Sequence, residues 1–213
     1  MRPERLVVVL GTDTGVGKTW TSAAVLSRLA DRGLAVAARK PAQSFAPCDL
    51  ETDASVLALA TGDDPEQVTP RHRWYAMAMA PPMAAAFLGK PPPTLDELVA
   101  EVDWPAGTQV GLVETVGGPR SPLADDGDSA DLAARLEPDL AVLVAPAGLG
   151  ALNSVRLCAP VCPQPVVVFL NHFDRGDLHD RNRRWLQAEG HDVVVDPDDL
   201  VRRIAGTLSP PVP

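Results

Sequence analysis

The chain predicts an α/β fold: a doubly wound, mostly parallel sheet flanked by helices. Three observations carry that expectation. Short apolar runs rich in β-branched residues recur along the chain, the pattern of strands buried on both faces. Helical segments separate most of them, so the links are βαβ crossovers, each right-handed, with helices on both faces of the sheet. Polar or glycine-rich residues follow most of the runs, at 11–19, Lys40, Glu114, Gly148/Gly150 and Asn171, and a parallel sheet gathers such strand ends on one ligand-binding rim.

Residues 6–10, LVVVL, are the first strand. Gly11, Gly15 and Gly17 follow, where the chain must turn tightly and bring its amides close to a ligand. Lys18 and Thr19 come next, and 19–33 reads as a helix closed by Gly33. Strand, glycine-rich loop, Lys-Thr and helix in that order make a phosphate-binding loop. Backbone N–H groups and the helix N-terminus hold phosphate oxygens, the Lys18 ammonium reaches the β/γ-phosphates, and the Thr19 hydroxyl ligates Mg²⁺. The spacing departs from G-x-x-x-x-G-K-[ST], because Thr12 holds the first glycine position and Gly11 lies one residue further out. A turn that merely closes a βα unit does not explain strand, helix and GKT standing in register. The fold is therefore expected to be of the P-loop NTPase type.

Residues 34–39 predict a second strand, and Pro41 stops its pairing, which leaves Lys40 at the strand's C-terminal edge. A helix is expected at 51–61. Near its start Asp53 is either a favourable first-turn carboxylate or a metal ligand. After a proline-punctuated segment, short helices follow at 83–88 and 95–100, the second capped by Thr94. Residues 109–113 are a buried strand ending in Glu114, the way nucleotide-hydrolysing α/β folds bring a carboxylate to magnesium. A helix at 129–136 and a strand at 140–144 come next, then an exit loop at 147–153 and a helix at 155–159. Residues 166–170 are a strand ending in Asn171. A helix at 178–189, a strand at 193–195 and a helix at 199–208 complete the chain.

At 213 residues the chain suits one domain, 1–213, with 209–213 a frayed tail. Hydrophobic residues at 46% and charged ones at 22% are ordinary for a soluble globular protein, and a net charge of −9 argues against a nucleic-acid partner. Arg181, Arg183 and Arg184, the densest basic cluster, read as a solvated helix face. Cys48, Cys158 and Cys162 complete no metal pattern; their odd count, with no secretory segment, points to the cytoplasm, and Cys158 and Cys162 read as buried thiols. No apolar run approaches the roughly 20 residues of a membrane span, so no membrane partner is expected.

The ordered set of motifs resembles dethiobiotin synthetase, the ATP-dependent cyclo-ligase of biotin biosynthesis. The resemblance rests on Gly11-Thr12-Asp13-Thr14-Gly15-Val16-Gly17-Lys18-Thr19, whose longer loop is that family's form, and on Lys40-Pro41-Ala42-Gln43-Ser44. Asp53, Glu114 ahead of Gly117-Gly118, Leu149-Gly150-Ala151-Leu152-Asn153 and Asn171 complete it. It implies ATP and Mg²⁺, a small diamine (7,8-diaminopelargonic acid) with CO₂ or bicarbonate as substrates, and a homodimer. Lys18, Lys40 and Thr14 would be catalytic. Gly15, Val16, Gly17, Lys18, Thr19, Trp20 and Gly117 would contact the nucleotide. Thr19, Asp53 and Glu114 would place the metal, and Thr14, Lys40 and Ser44 would meet the diamine. Gly150, Ala151, Leu152 and Asn153 would receive the substrate's tail carboxylate across the dimer interface, Asn171 would read adenine, and Val195 and Pro197 would line the base pocket. Thr115-Val116 stand where the family has Gly-Ala, and Phe45 where it has Gly, so the diamine-facing surroundings are altered. Three other readings remain open. One is a paralogue acting on another amine or amide, and another a catalytically dead binding paralogue. The last is a ParA/MinD-like nucleotide switch, against which Asp13 counts because such switches carry a lysine there.

Overall fold

The computed structural model describes residues 1–206 and Leu208; the frayed tail expected at 209–213 lies outside the described residues. In chain order the elements are β1 (Arg5–Gly11), α1 (Lys18–Asp31), β2 (Val36–Arg39), β3 (Gln43–Ser44), α2 (Asp53–Thr61) and α3 (Pro65–Val68). Then come β4 (Trp74–Tyr75), α4 (Pro81–Phe87), α5 (Leu95–Ala100), β5 (Val110–Glu114), β6 (Pro122–Ala124), β7 (Gly127–Asp128) and α6 (Ser129–Leu136). The chain continues through β8 (Leu140–Pro146), α7 (Ala151–Cys158), β9 (Val166–Asn171), α8 (Asp177–Ala188), β10 (Asp192–Val194) and α9 (Pro197–Ala205).

Six strands form one sheet in the order β10-β9-β8-β1-β5-β2. Every pairing in it is parallel. β1 sits centrally because its apolar run can be buried on both faces. Val7 and Val9 pack with Leu26, Leu57 and Leu200 from α1, α2 and α9. Leu6, Val8 and Leu10 pack with Ala133, Val155 and Leu186 from α6, α7 and α8. The period-2 alternation thus sorts one strand into two cores, which is what doubly wound means here. A third cluster, with Tyr75, Leu98, Leu123 and Leu132, seats α4, α5 and the β6–β7 hairpin beside the sheet.

Register decides what meets at the rim. Val9 pairs with Glu114 and Gly11 with Val144, while Arg39 pairs with Val113. Lys40, one residue past Arg39, therefore comes level with Glu114. The two-residue β3–β4 ladder and the β6–β7 hairpin were not anticipated, being too short to carry a periodic signal. Several helix boundaries also differ from expectation, those of α7 and α9 among them. α7 begins at Ala151, not 155, so residues 151–153 are its first turn and the exit loop shortens to 147–150, ending in Gly150 as a left-handed N-cap. α9 runs from Pro197 to Ala205, starting two residues before the expected 199 because Asp196 caps it by accepting a hydrogen bond from the Asp198 N–H, and ending before 208. Of the thiols, Cys162 is buried, Cys158 partly so and Cys48 exposed. Among the described residues no helix is long and apolar enough to cross a membrane.

Candidate active site

The loop between β1 and α1 is shaped by two glycines. Gly17 caps α1 in the left-handed region at φ 93°, and a Cβ there would lie 2.0 Å from Asn171 Nδ2. At Gly11 a Cβ would fall 2.9 Å from Lys18 Nζ and 2.8 Å from Val16 Cγ2. Any side chain at 11 would displace the lysine, so the extra residue in this loop does not relax the demand for glycine at its start. Lys18 Nζ donates to the Asp13 carbonyl at 3.0 Å and the Gly117 carbonyl at 2.9 Å, tying the loop to the turn after β5. Asn171, buried at the end of β9, donates through Nδ2 to the Val16 carbonyl at 2.9 Å and supports the loop from below.

Three oxygens converge beside it. Thr19 Oγ1 lies 2.8 Å from Asp53 Oδ1 and 2.9 Å from Glu114 Oε1. Cis ligands on an octahedral ion with bonds of about 2.0–2.1 Å stand about 3 Å apart, so the donor set has the spacing Mg²⁺ requires. Among the described residues no group of three or more His, Cys, Asp or Glu side chains is placed to hold a metal ion. Mg²⁺ binds through one or two carboxylates and completes its shell with water and phosphate. Asp53 is not the cap of α2: Thr52 fills that place and accepts from the Ser55 N–H, leaving the Asp53 carboxylate turned to Thr19 and Lys40. Lys40 Nζ bridges the acids, 2.7 Å from Asp53 Oδ2 and 2.8 Å from Glu114 Oε1.

Burial and pairing set the charges. Burial foremost, and then the neighbouring Lys40 charge, push Lys18 down to about 8 against the opposing pull of Glu114, Asp53 and Asp13. Burial works on Lys40 in the same direction, yet Glu114 and Asp53 outweigh it, and its pKa stands above the ordinary lysine value. Burial would raise the Asp53 carboxyl, but the Lys40 charge, with hydrogen bonds from Lys40 and Thr19, holds it below the usual range. The two lysines thus differ: one is a secure cation, the other gives up its proton at about pH 8.

Lys18, Thr19, Lys40 and Asp53 open onto a cavity of about 540 Å³, whereas Glu114 is fully buried and is not part of its wall. Its walls bring together the expected residues Thr14, Gly15, Gly17, Lys18, Thr19, Lys40, Ser44, Asp53 and Gly117, along with Met79, Pro81, Val116 and Ser121. Thr115 turns away, its hydroxyl on the Val9 carbonyl at 3.1 Å, so of the β-branched pair Val116 alone faces the cavity. Phe45 is also outside, edge-on to Trp74 at 6.1 Å. Val16 is buried and Trp20 is exposed on α1. Asn171, Gly150 to Asn153, Val195 and Pro197 do not line this cavity. Ser22, whose hydroxyl donates to Glu114 Oε2 at 2.8 Å, was missed, as were Met79 and Ser121. For Ser22 a signal existed: it stands three residues after Thr19, on the same face of the helix.

A parallel sheet whose central strand delivers a glycine loop, a lysine and a threonine to two carboxylates defines a P-loop nucleotide-binding protein. The chain belongs to the ATP-dependent dethiobiotin synthetase family. Residues 5–168 match a family model described as an AAA domain. A protein of Chromohalobacter salexigens named ATP-dependent dethiobiotin synthetase BioD is 40% identical over 157 residues, covering 71% of this chain and 65% of that protein. Proteins of the same name from Corynebacterium efficiens and Xanthomonas campestris pv. campestris are 37% and 35% identical, covering 71% of this chain and 67% and 69% of theirs. The match thus spans about two thirds of those relatives' own length. Among solved structures, a plasmid partition protein from Borrelia burgdorferi B31 bound to AMPPNP superposes with TM-score 0.54 at 13% identity, covering 93% of this chain and 90% of its own. The signal recognition particle receptor FtsY from Elizabethkingia anophelis does so with TM-score 0.53 at 15% identity, covering 92% and 58%. At such identities the likeness is one of fold.

Proposed function

We propose that the chain, acting as one P-loop unit, is an ATP- and Mg²⁺-dependent cyclo-ligase that carboxylates 7,8-diaminopelargonic acid with CO₂ and closes the ring of dethiobiotin. The observation that carries this is the meeting of two lysine ammoniums, the Asp53 carboxylate and one threonine hydroxyl on a single cavity at the sheet's carboxyl rim, with the buried Glu114 carboxylate bonded to Lys40 and Thr19. One substrate amine adds to CO₂ and gives a carbamate. A carbamate oxygen attacks the γ-phosphorus of ATP and ADP leaves; the second amine then attacks the carbonyl carbon, expels phosphate and closes the urea ring. Each step gathers negative charge on oxygens, so fixed cations and N–H donors supply most of the catalysis.

In this reading the amides of residues 15–20 and Gly117 hold the phosphates, while Lys18 and Lys40 neutralise phosphate and carbamate oxygens. Thr19, Asp53 and Glu114 are the residues that would hold Mg²⁺, which supplies charge neutralisation at the phosphate oxygens. Thr14 and Ser44 orient the diamine. Gly150, at the N-cap of α7, and Ala151, Leu152 and Asn153 in its first turn take the tail carboxylate of a substrate bound to the other subunit of a homodimer. Asn171, Val195 and Pro197 receive the base, and the protein works in the cytoplasm.

The test supplies the diamine, bicarbonate and Mg·ATP and follows ADP and dethiobiotin together by chromatography. Equal yields of the two, absent when either diamine or bicarbonate is withheld, are expected. ADP formed without the ring product would sink the proposal, and nucleotide-dependent association without turnover would favour a switch instead.

A further inference from the structure

We propose that Ser22 is a positioning residue for the metal site: it keeps Glu114 to coordination through one oxygen and so selects Mg²⁺ over Ca²⁺. The inference deepens the magnesium reading above and rests on it. Glu114 is fully buried at the end of β5, and its two carboxylate oxygens have different surroundings. Oε1 faces the site, 2.9 Å from Thr19 Oγ1 and 2.8 Å from Lys40 Nζ. Oε2 faces away and accepts the Ser22 hydroxyl at 2.8 Å. Ser22 has no exposed surface, so water does not compete for that proton. A serine hydroxyl carries one proton, and this one goes to Oε2.

One turn of α1 therefore delivers two hydroxyls to one carboxylate, Thr19 to the oxygen that meets the ion and Ser22 to the oxygen that does not. The same division recurs at Asp53, where Oδ1 is near Thr19 and Oδ2 is held by Lys40. A site whose carboxylates each present one oxygen matches the octahedral demand of Mg²⁺. Ca²⁺ takes 6–8 oxygens at longer distances and commonly uses both oxygens of a carboxylate. To offer both, Glu114 would have to rotate and break the Ser22 bond, leaving a buried hydroxyl unpaired.

Preformed Mg²⁺ and Ca²⁺ complexes of a non-hydrolysable ATP analogue, each titrated calorimetrically into the full chain, read this directly. In Ser22→Ala the affinity for the Mg²⁺ complex is expected to fall about tenfold, the low end for losing a partner of a metal ligand, with that for the Ca²⁺ complex unchanged or tighter. Thr21→Val serves as the control. It removes an equally buried hydroxyl from the same helix, one bonded at 2.8 Å to the Gly17 carbonyl with no link to Glu114, and should leave the Mg²⁺/Ca²⁺ ratio as in the wild type. An unchanged ratio in Ser22→Ala, or an equal loss of both complexes, overturns the positioning role. A wild-type chain indifferent to the metal overturns the magnesium reading along with it.

Discussion

The depressed pKa of Lys18 makes nucleotide affinity depend on pH in a way that can be worked out from the site. Free Lys18 titrates at about 8 instead of 10.5 because it is buried and lies near Lys40. Phosphate oxygens beside the ammonium favour its charged form, so binding requires the protonated lysine and takes up a proton when that proton is missing. The affinity is then divided by the factor 1 + 10^(pH − 8), which is about 1.1 at pH 7 and about 11 at pH 9. A tenfold weakening is expected between those values. The assay is calorimetric titration with the Mg²⁺ complex of a non-hydrolysable ATP analogue, repeated in buffers of different ionisation enthalpy to count protons. Lys18→Arg, which stays charged throughout, should bind with an affinity that is flat over the same range. A flat wild-type profile, or binding that strengthens with pH, would refute the placement of Lys18. The free protein has its own signature. Since the folded chain releases this proton at about 8 and the unfolded chain near 10.5, the unfolded state binds more protons in that window, and the Lys18 contribution to stability rises with pH across it.

Two further outcomes follow from the geometry. Lys40→Ala leaves the Asp53 and Glu114 carboxylates facing each other without their bridging cation; turnover should fall at least about 10²-fold. Urea denaturation should show a loss of about 3 kcal/mol, kept to the low end because the half-exposed Asp53 carboxylate is screened by solvent, with the circular dichroism of the folded state retained. Gly17→Ala forces a Cβ to within 2.0 Å of Asn171 Nδ2 at a φ of 93°. Thermal unfolding should report a cost of about 1–3 kcal/mol, and binding of the ATP analogue should be lost, whereas Gly150→Ala, at φ 89° but in open space, should pay only the backbone strain.

Much of this architecture was legible because the central strands are buried on both faces. A run such as the one in β1 or β9 has no other role that fits its composition, and the polar residue at its end marks the rim. The start of α7 was not legible: Gly148 and Gly150 announce a loop, and nothing local says that a left-handed Gly150 begins a helix one residue later. Short ladders such as β3–β4 owe their existence to the packing around Tyr75 and Leu123 and not to their own pattern. Within the site, Lys18 and Thr19 were readable from the loop motif alone. Asp53 was ambiguous until Thr52 proved to be the cap; Pro41 placed Lys40 on the rim, and only its pairing with Glu114 needed the register of β2 on β5. Ser22 carried only the hint of standing one turn after Thr19, because its partner is a carboxylate 92 positions away.

The central claim is that this cavity joins one-carbon and diamine substrates at the expense of ATP. Incubation with ¹³C-labelled bicarbonate, the diamine and Mg·ATP, followed by mass spectrometry, tests it most directly. Dethiobiotin carrying the label in its urea carbonyl is the result the site geometry leads to. Hydrolysis of ATP with no labelled ring product would contradict it.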